Sequence, residues 1–312
     1  MKKIIILAII AMILTLLYLF YGIDAEIFQY SFMKRLPQAI AIGVTATAIA
    51  IATLLFQTIT NNRILTPSIL GFDAIYLFIQ TILVVFFTKF AGNFVNETVN
   101  FILSLVIMVG FSLLLFSSIF KEKYNIHTLL LVGIVFGTLF RSMTGFLLMI
   151  LDPNEFGLLQ GRMFASFNNI KTELLLIVIV GFLLLIPFIY DEWKKMDVFL
   201  LGKDVATNLG VDYQKTSKKF FIVISILISA ATALVGPLTF LGVIVVNLAY
   251  EIMQTYKHKY IGLAAVLICV SALMGGQLIV ERVFNFNITL TVIINLVGGI
   301  YFLTLLMKGR KA

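Results

Sequence analysis

The sequence predicts an all-α polytopic membrane protein, and three observations carry that expectation. The first is composition: of 312 residues, 61% are hydrophobic and only 12% are charged, with a mean hydropathy of +1.08. Soluble domains carry about 25% charged residues. The second is pattern. Long apolar runs recur along the whole chain, most of them near the ~20 residues that a helix needs to cross a ~30 Å hydrocarbon core. The third is charge placement. The formal net charge of +8 forms no single basic patch that would suit nucleic acid; the lysines and arginines sit at run ends, as topology determinants do.

Taken in order, the runs are 4–23, 39–60, 68–88, 98–119, 128–151, 174–190, 220–250, 261–280 and 288–307. The first follows Met1-Lys2-Lys3 and has no small-x-small cleavage site at its end, so it reads as a retained span. The second, QAIAIGVTATAIAIAT, is rich in Ala, Gly and Thr. Small residues let membrane helices approach closely, so this span should be central. Leu70-Gly71 and Gly298-Gly299 fit the same packing role. The run 220–250 is too long for one crossing, about 46 Å as a helix, and Gly236-Pro237 interrupts it. It is either one span with a re-entrant piece or two crossings. Charge decides. With two crossings there are ten spans and both termini lie inside. Only Lys34, Arg35, Lys89, Arg162, Lys171 and Arg282 then fall outside, Arg141 lies within a span, and the other 16 of the 23 basic residues are cytoplasmic. With a single crossing the split is nearly even, 12 to 10. The positive-inside rule selects ten. The piece from Leu238 to Tyr250 is then only ~20 Å long. It must start below the outer surface, with Gly236-Pro237 buried in protein or lining a cavity.

The whole chain, 1–312, reads as one transmembrane domain. Its longest polar interruption, 191–219, reads DEWKKMDVFLLGKDVATNLGVDYQKTSKK. Within it, Val198–Gly202 and Val205–Gly210 pattern as two short amphipathic helices, each stopped by a glycine. A partly apolar helical module between spans either packs on its own span ends or receives a partner. The outer segment 152–173 has the composition of a short surface helix.

Enzyme constellations are absent. Cys269 is alone, so there is no disulfide framework or cysteine cluster. His127 and His258 both lie at span ends without a carboxylate or cysteine at ligand spacing, so no metal site is expected. No Gly-x4-Gly-Lys-Ser/Thr occurs, so the chain has no Walker route to ATP. Arg141 is the one basic residue deep in a run (LVGIVFGTLFRSMTG). Burying it costs at least ~2.5–3.5 kcal/mol, which makes it a candidate for a solute path or gate. Asp73 is the only acid inside a run and is expected near the cytoplasmic interface. An ion-coupled secondary transporter would need carboxylate or histidine relays within its spans, and Asp73 alone is thin provision for one. A channel or scaffold would need no ordered inner loop.

Several segments together resemble the FecCD-type permease family, the membrane subunits of bacterial ABC importers for iron chelates and cobalamin. They are Arg35-Leu36-Pro37, the Ala-rich run, Leu55-Phe56-Gln57, Asn61-Asn62, Thr66-Pro67 and Ile69-Leu70-Gly71, followed by Leu131-Val132-Gly133-Ile134, Gln160-Gly161-Arg162 and Ala233–Gly242 (ALVGPLTFLG). Leu201-Gly202, Ala206 and Leu209-Gly210 match the family's A-L-G-x-x-x-A-x-x-L-G. Each motif is short; their order covers nearly the whole chain. The sequence departs from the family at Gln38, at Val246-Asn247 and Tyr250-Glu251, and at Asn287–Thr291.

The resemblance implies a type II ABC importer permease with ten spans and cytoplasmic termini in the cell membrane. It also implies a second permease, identical or paralogous, two cytoplasmic ATPases that bind ATP and Mg, and an extracytoplasmic substrate-binding lipoprotein. This chain itself would hold no cofactor. Leu200, Leu201, Gly202, Ala206, Leu209 and Gly210 would form the ATPase-coupling surface. Arg35 and Arg282, with Lys34, would dock the binding protein. Gln57, Gly236 and Pro237, with Arg141, would line or gate the translocation path. The expected cargo is an iron(III)–siderophore, with haem or cobalamin as alternatives; the chelate brings its own ligands, so the spans need none.

Overall fold

The computed structural model describes residues 2–23, 26, 28–91, 96–119 and 126–309. Lys121, Lys123, Arg310 and Lys311 of the charge count lie outside the described residues, as do the side chains of Lys89, His127 and Lys308. The described chain is helical throughout. In order the helices are α1 (Lys2–Phe20), α2 (Phe28–Thr60), α3 (Phe72–Ala91), α4 (Glu97–Ile119), α5 (Ile126–Leu148), α6 (Pro153–Met163), α7 (Thr172–Trp193), α8 (Met196–Phe199), α9 (Lys203–Asn208), α10 (Tyr213–Val235), α11 (Leu241–Met253), α12 (His258–Arg282) and α13 (Leu290–Gly309), with a 3-10 turn at Pro67–Leu70. Among the described residues seven helices are long and apolar enough to cross a membrane: α1, α2, α4, α5, α7, α10 and α12. Three shorter apolar helices cover Phe72–Phe86, Leu241–Met253 and Leu290–Thr304.

The alanine-rich run forms the axis of the bundle. α2 packs against α10, α11, α12 and α1, and Ala41, Ala46, Ala48, Ala50 and Ala52 are fully buried along it. Without side-chain bulk on that face, neighbouring backbones close in and van der Waals contact replaces the hydrophobic force that lipid cannot supply. The helix is longer than the apolar run. It starts at Phe28 and continues through Pro37, so Arg35-Leu36-Pro37 is a helical segment and not a loop. Pro37 deprives only the Met33 carbonyl of its partner, a loss that a packed membrane helix tolerates. At 33 residues, α2 is about 50 Å long and overruns the hydrocarbon core.

The run 220–250 is broken where glycine and proline interrupt it. α10 ends at Val235 and α11 begins at Leu241. Gly236 has φ 101° and ψ 175°, a region essentially restricted to glycine. A β-carbon there would lie 3.0 Å from both Ala165 Cα and the Phe164 carbonyl oxygen. Both Gly236 and Pro237 are buried, and the Val235 carbonyl accepts from Ser166 N–H at 2.8 Å. The irregular backbone is thus covered by protein, as backbone at membrane depth must be.

Candidate functional site

The segment between α7 and α10 folds as two short helices with separate inner and outer faces. Met196, Phe199 and Ala206 are buried. Phe199 stacks on Tyr213 at 4.4 Å between ring centroids and meets Phe220 edge-on. Leu201, Val205 and Leu209 are 56%, 46% and 61% exposed. The turn between the helices passes through Gly202 at φ 90° and ψ 167°, again a conformation that a β-carbon forbids, and Gly210 follows α9 at φ 85°. The structure therefore leaves Leu201 and Leu209 both exposed, with Leu200 half-buried. Ala206 belongs to the inner face, where its small side chain lets α9 sit close to the spans. Val205, one residue earlier, takes the exposed place.

Polar tethers hold this module to the spans. Glu192, at the end of α7, is buried. It pairs with Lys195 at 2.8 Å and with Lys219 of α10, and it accepts from Thr216 Oγ1 at 3.2 Å. Burial pushes its carboxyl pKa up, but hydrogen bonds from the two lysines outweigh that and hold it below the ordinary carboxylate value. On the other side, Asp197 of α8 accepts from the His258 backbone N–H at 2.9 Å and bonds the imidazole Nδ1 at 2.6 Å. His258 Nε2 in turn lies 2.9 Å from Thr58 Oγ1 of α2. The histidine that the sequence left idle at a span end is a link between α8, α12 and the axial helix.

The proposed path residues separate into two groups. Gln57 is 2% exposed and staples the turn after α2: its Nε2 donates to the Arg63 carbonyl at 2.8 Å, and Asn247 Nδ2 donates to the same oxygen at 2.8 Å. Like Gly236 and Pro237, it is buried within the packing of this chain. Arg141 lies on the exposed side of α5, with Nε donating to the Gly137 carbonyl at 3.3 Å. Its helix crosses the 3-10 turn so tightly that a β-carbon on Gly133 would meet Leu70 Cα at 2.8 Å. Asp73 accepts from Thr239 Oγ1 at 2.8 Å, joining the start of α3 to the break between α10 and α11.

At the opposite end of the bundle, Arg35 donates to the Tyr18 and Tyr21 carbonyls at 2.9 and 3.0 Å and pairs with Glu281. Arg282 donates to the Tyr21 and Gly22 carbonyls at 2.7 and 3.0 Å. The two guanidiniums thus satisfy the orphan carbonyls at the C-terminus of α1. Their side chains are 12% and 34% exposed. Lys34 is exposed. Beneath them Tyr18 Oη donates to Gln38 Oε1 at 2.6 Å, and both Gln38 and Gln277 donate to Asn168.

A sequence model of the FecCD transport family matches residues 3–308. The chain belongs to the FecCD transport family. Among curated members, it is 50% identical over 297 residues to the petrobactin import system permease protein YclO of Bacillus subtilis, covering 95% of this chain and 94% of that one. It is 38% identical over 289 residues to the petrobactin import system permease protein FatC of Bacillus anthracis, covering 92% and 82%. In fold it resembles a metal-chelate type ABC transporter solved in an inward-facing conformation, with a TM-score of 0.85 at 19% identity over 98% of this chain and 99% of that one.

Within this FecCD member, sequence reasoning missed the polar clusters that cross between distant segments. Gln80, Asn100 and Ser104 form one such knot, capped by Arg162 Nη1 donating to Gln80 Oε1 at 2.9 Å. A buried amide inside an apolar run was the available signal, since such a group must find partners.

Proposed function

We propose that this chain is the membrane-spanning permease of an ABC importer that carries an iron(III)–siderophore across the cytoplasmic membrane. A separate ATPase subunit hydrolyses the ATP, and this chain is a transporter component and not an enzyme. The observation that carries the reading is the 50% identity to a petrobactin import permease over 95% of the chain, and FatC, also a petrobactin permease by name, supports the same cargo class. Haem and cobalamin are the alternatives within the family.

The bundle crosses the membrane ten times, by the seven long helices and the three shorter ones, with both termini and α8–α9 in the cytoplasm. The charge asymmetry of the loops supports this orientation. Two permeases, identical or paralogous, assemble with two ATPases and a binding lipoprotein. The exposed Leu201–Val205–Leu209 face enters the ATPase. Its buried tethers at Glu192 and Asp197 would carry ATPase motion to α7, α10, α12 and α2. ATP can shift the permease only if the ATP-bound ATPase contacts one permease conformation better than the other, and a rigidly tethered module is what makes such a difference felt in the spans. Arg141, exposed on α5, suits an anionic cargo. Lys34 and the exposed part of Arg282 dock the binding protein, while Arg35 braces the platform.

Co-purification tests the reading. The chain, expressed with its ATPase, should retain it through affinity purification. The double substitution Leu201→Asp, Leu209→Asp should release it while the permease remains inserted and folded. Retention of the ATPase by the double variant would remove α8–α9 as the coupling surface.

A further inference from the structure

A cleft of about 1230 Å³ opens between α7 and α12, with α2 as its floor. That exceeds the ~300–1,000 Å³ of ordinary small-molecule sites. Along the spans its walls are aliphatic and aromatic, including Phe182, Leu183, Ile186 and Val270. Its floor reaches the α2 backbone at Gly43, where an added β-carbon would meet nothing within 4 Å. Along the floor the polar Thr47 turns its hydroxyl back on the Gly43 carbonyl at 2.8 Å, and charge gathers at the end beside α8. There Lys194, Lys257 and Lys259 line the mouth together with Tyr190, Trp193 and Tyr260. The three lysines are exposed, and none of them forms a salt bridge among the described residues. Lys194 Nζ stands 5.8 Å over the Tyr190 ring. The one carboxylate at the mouth, Asp197, is engaged by His258 through Oδ1.

We infer that this cleft is a binding site for one anionic phospholipid, with acyl chains along α7 and α12 and the phosphate headgroup among Lys194, Lys257 and Lys259. The chemistry separates this occupant from others. A hydrophilic iron chelate has no polar partners along such walls, and burying its polar atoms there is costly. A helix of a second permease would want small residues on both sides for close approach, and the walls here are bulky. A lipid needs an apolar slot, a cationic mouth at headgroup depth and aromatic rings at the interface, and the cleft has all three. The lipid fills the gap between α7 and the bundle and puts its headgroup beside α8.

Trp193 is the chain's only tryptophan and lies in the mouth of the cleft, packed close to Gly262 of α12. It is a built-in reporter. The full-length permease is reconstituted in nanodiscs of phosphatidylcholine containing small, equal mole fractions of brominated phosphatidylglycerol or brominated phosphatidylcholine, and Trp193 quenching is compared. The expected result is an apparent affinity about tenfold higher for the anionic lipid. Lys194→Gln, Lys257→Gln, Lys259→Gln should remove that preference. Gly43→Phe, which leaves the charges in place and fills the floor, should lower quenching by both lipids. Equal quenching by the two lipids in the wild type would overturn the site as specific. So would a preference that survives both variants, or an absence of quenching by either lipid.

Discussion

At Gly236 a single hydrogen atom allows α10 to end and α11 to begin inside the bundle. Gly236→Ala meets Ala165 and Phe164 at 3.0 Å in a backbone region that costs about 1–3 kcal/mol for other residues. The detergent-solubilised variant should unfold at a clearly lower temperature than the wild type. Gly43→Ala is the matched control, since it has open space and a helical backbone, and should be neutral or gain about 0.5–1 kcal/mol. Glu192 gives a pH dependence with a defined sign. Its folded-state pKa is depressed, so its contribution is complete above the unfolded carboxylate pKa and is lost as pH falls toward the lower folded value. Thermal unfolding of the wild type should therefore shift downward through that acidic window, and Glu192→Gln, less stable at neutral pH and converging with the wild type below the window, should show a smaller shift. An identical pH profile for the two proteins would remove Glu192 as the source.

The elements were legible in the sequence to the extent that their cause was local. Gly236-Pro237 announced the break in the long run, and Gly202 and Gly210 announced the two short helices between α7 and α10, because a backbone that needs glycine shows it at one position. The small residues of α2 announced its place on the axis. The ends of α2 were not legible, because Pro37 reads as a boundary and only burial inside the bundle makes it tolerable. Nor could sequence assign Ala206 to the inner face: at six residues α9 is too short for periodicity to orient it. The arginine clamp on α1 was hidden for another reason, as Arg35 and Glu281 are 246 residues apart. The link between α8 and the bundle carries a prediction at this scale. His258→Leu breaks the bridge from Asp197 to Thr58 without touching the exposed leucines. The ATPase should still co-purify, while cargo transported per ATP hydrolysed should fall several-fold. Unchanged coupling would assign His258 to packing alone.

Across the whole molecule, charge and apolar surface divide by end. One end presents Lys34 and the arginine clamp, and the other presents the lysine-rich rim and the leucine face of α8–α9. Lys34→Glu should weaken docking of the binding protein at low salt, with the difference shrinking as ionic strength rises, since exposed charges are screened beyond about 10 Å at 0.1 M. Docking measured by surface plasmon resonance at two salt concentrations checks this. The long exposed apolar sides of α1, α5 and α13 suit a chain surrounded by lipid. The measurement that bears most directly on the account is uptake in proteoliposomes, using the permease reconstituted with the ATPase, second permease and binding protein of the proposed assembly, and radio-iron loaded on the proposed siderophore cargo. The account predicts accumulation that requires ATP, persists when ion gradients are collapsed, and is abolished by Leu201→Asp, Leu209→Asp. Uptake that continues without ATP and follows a proton or sodium gradient would contradict it.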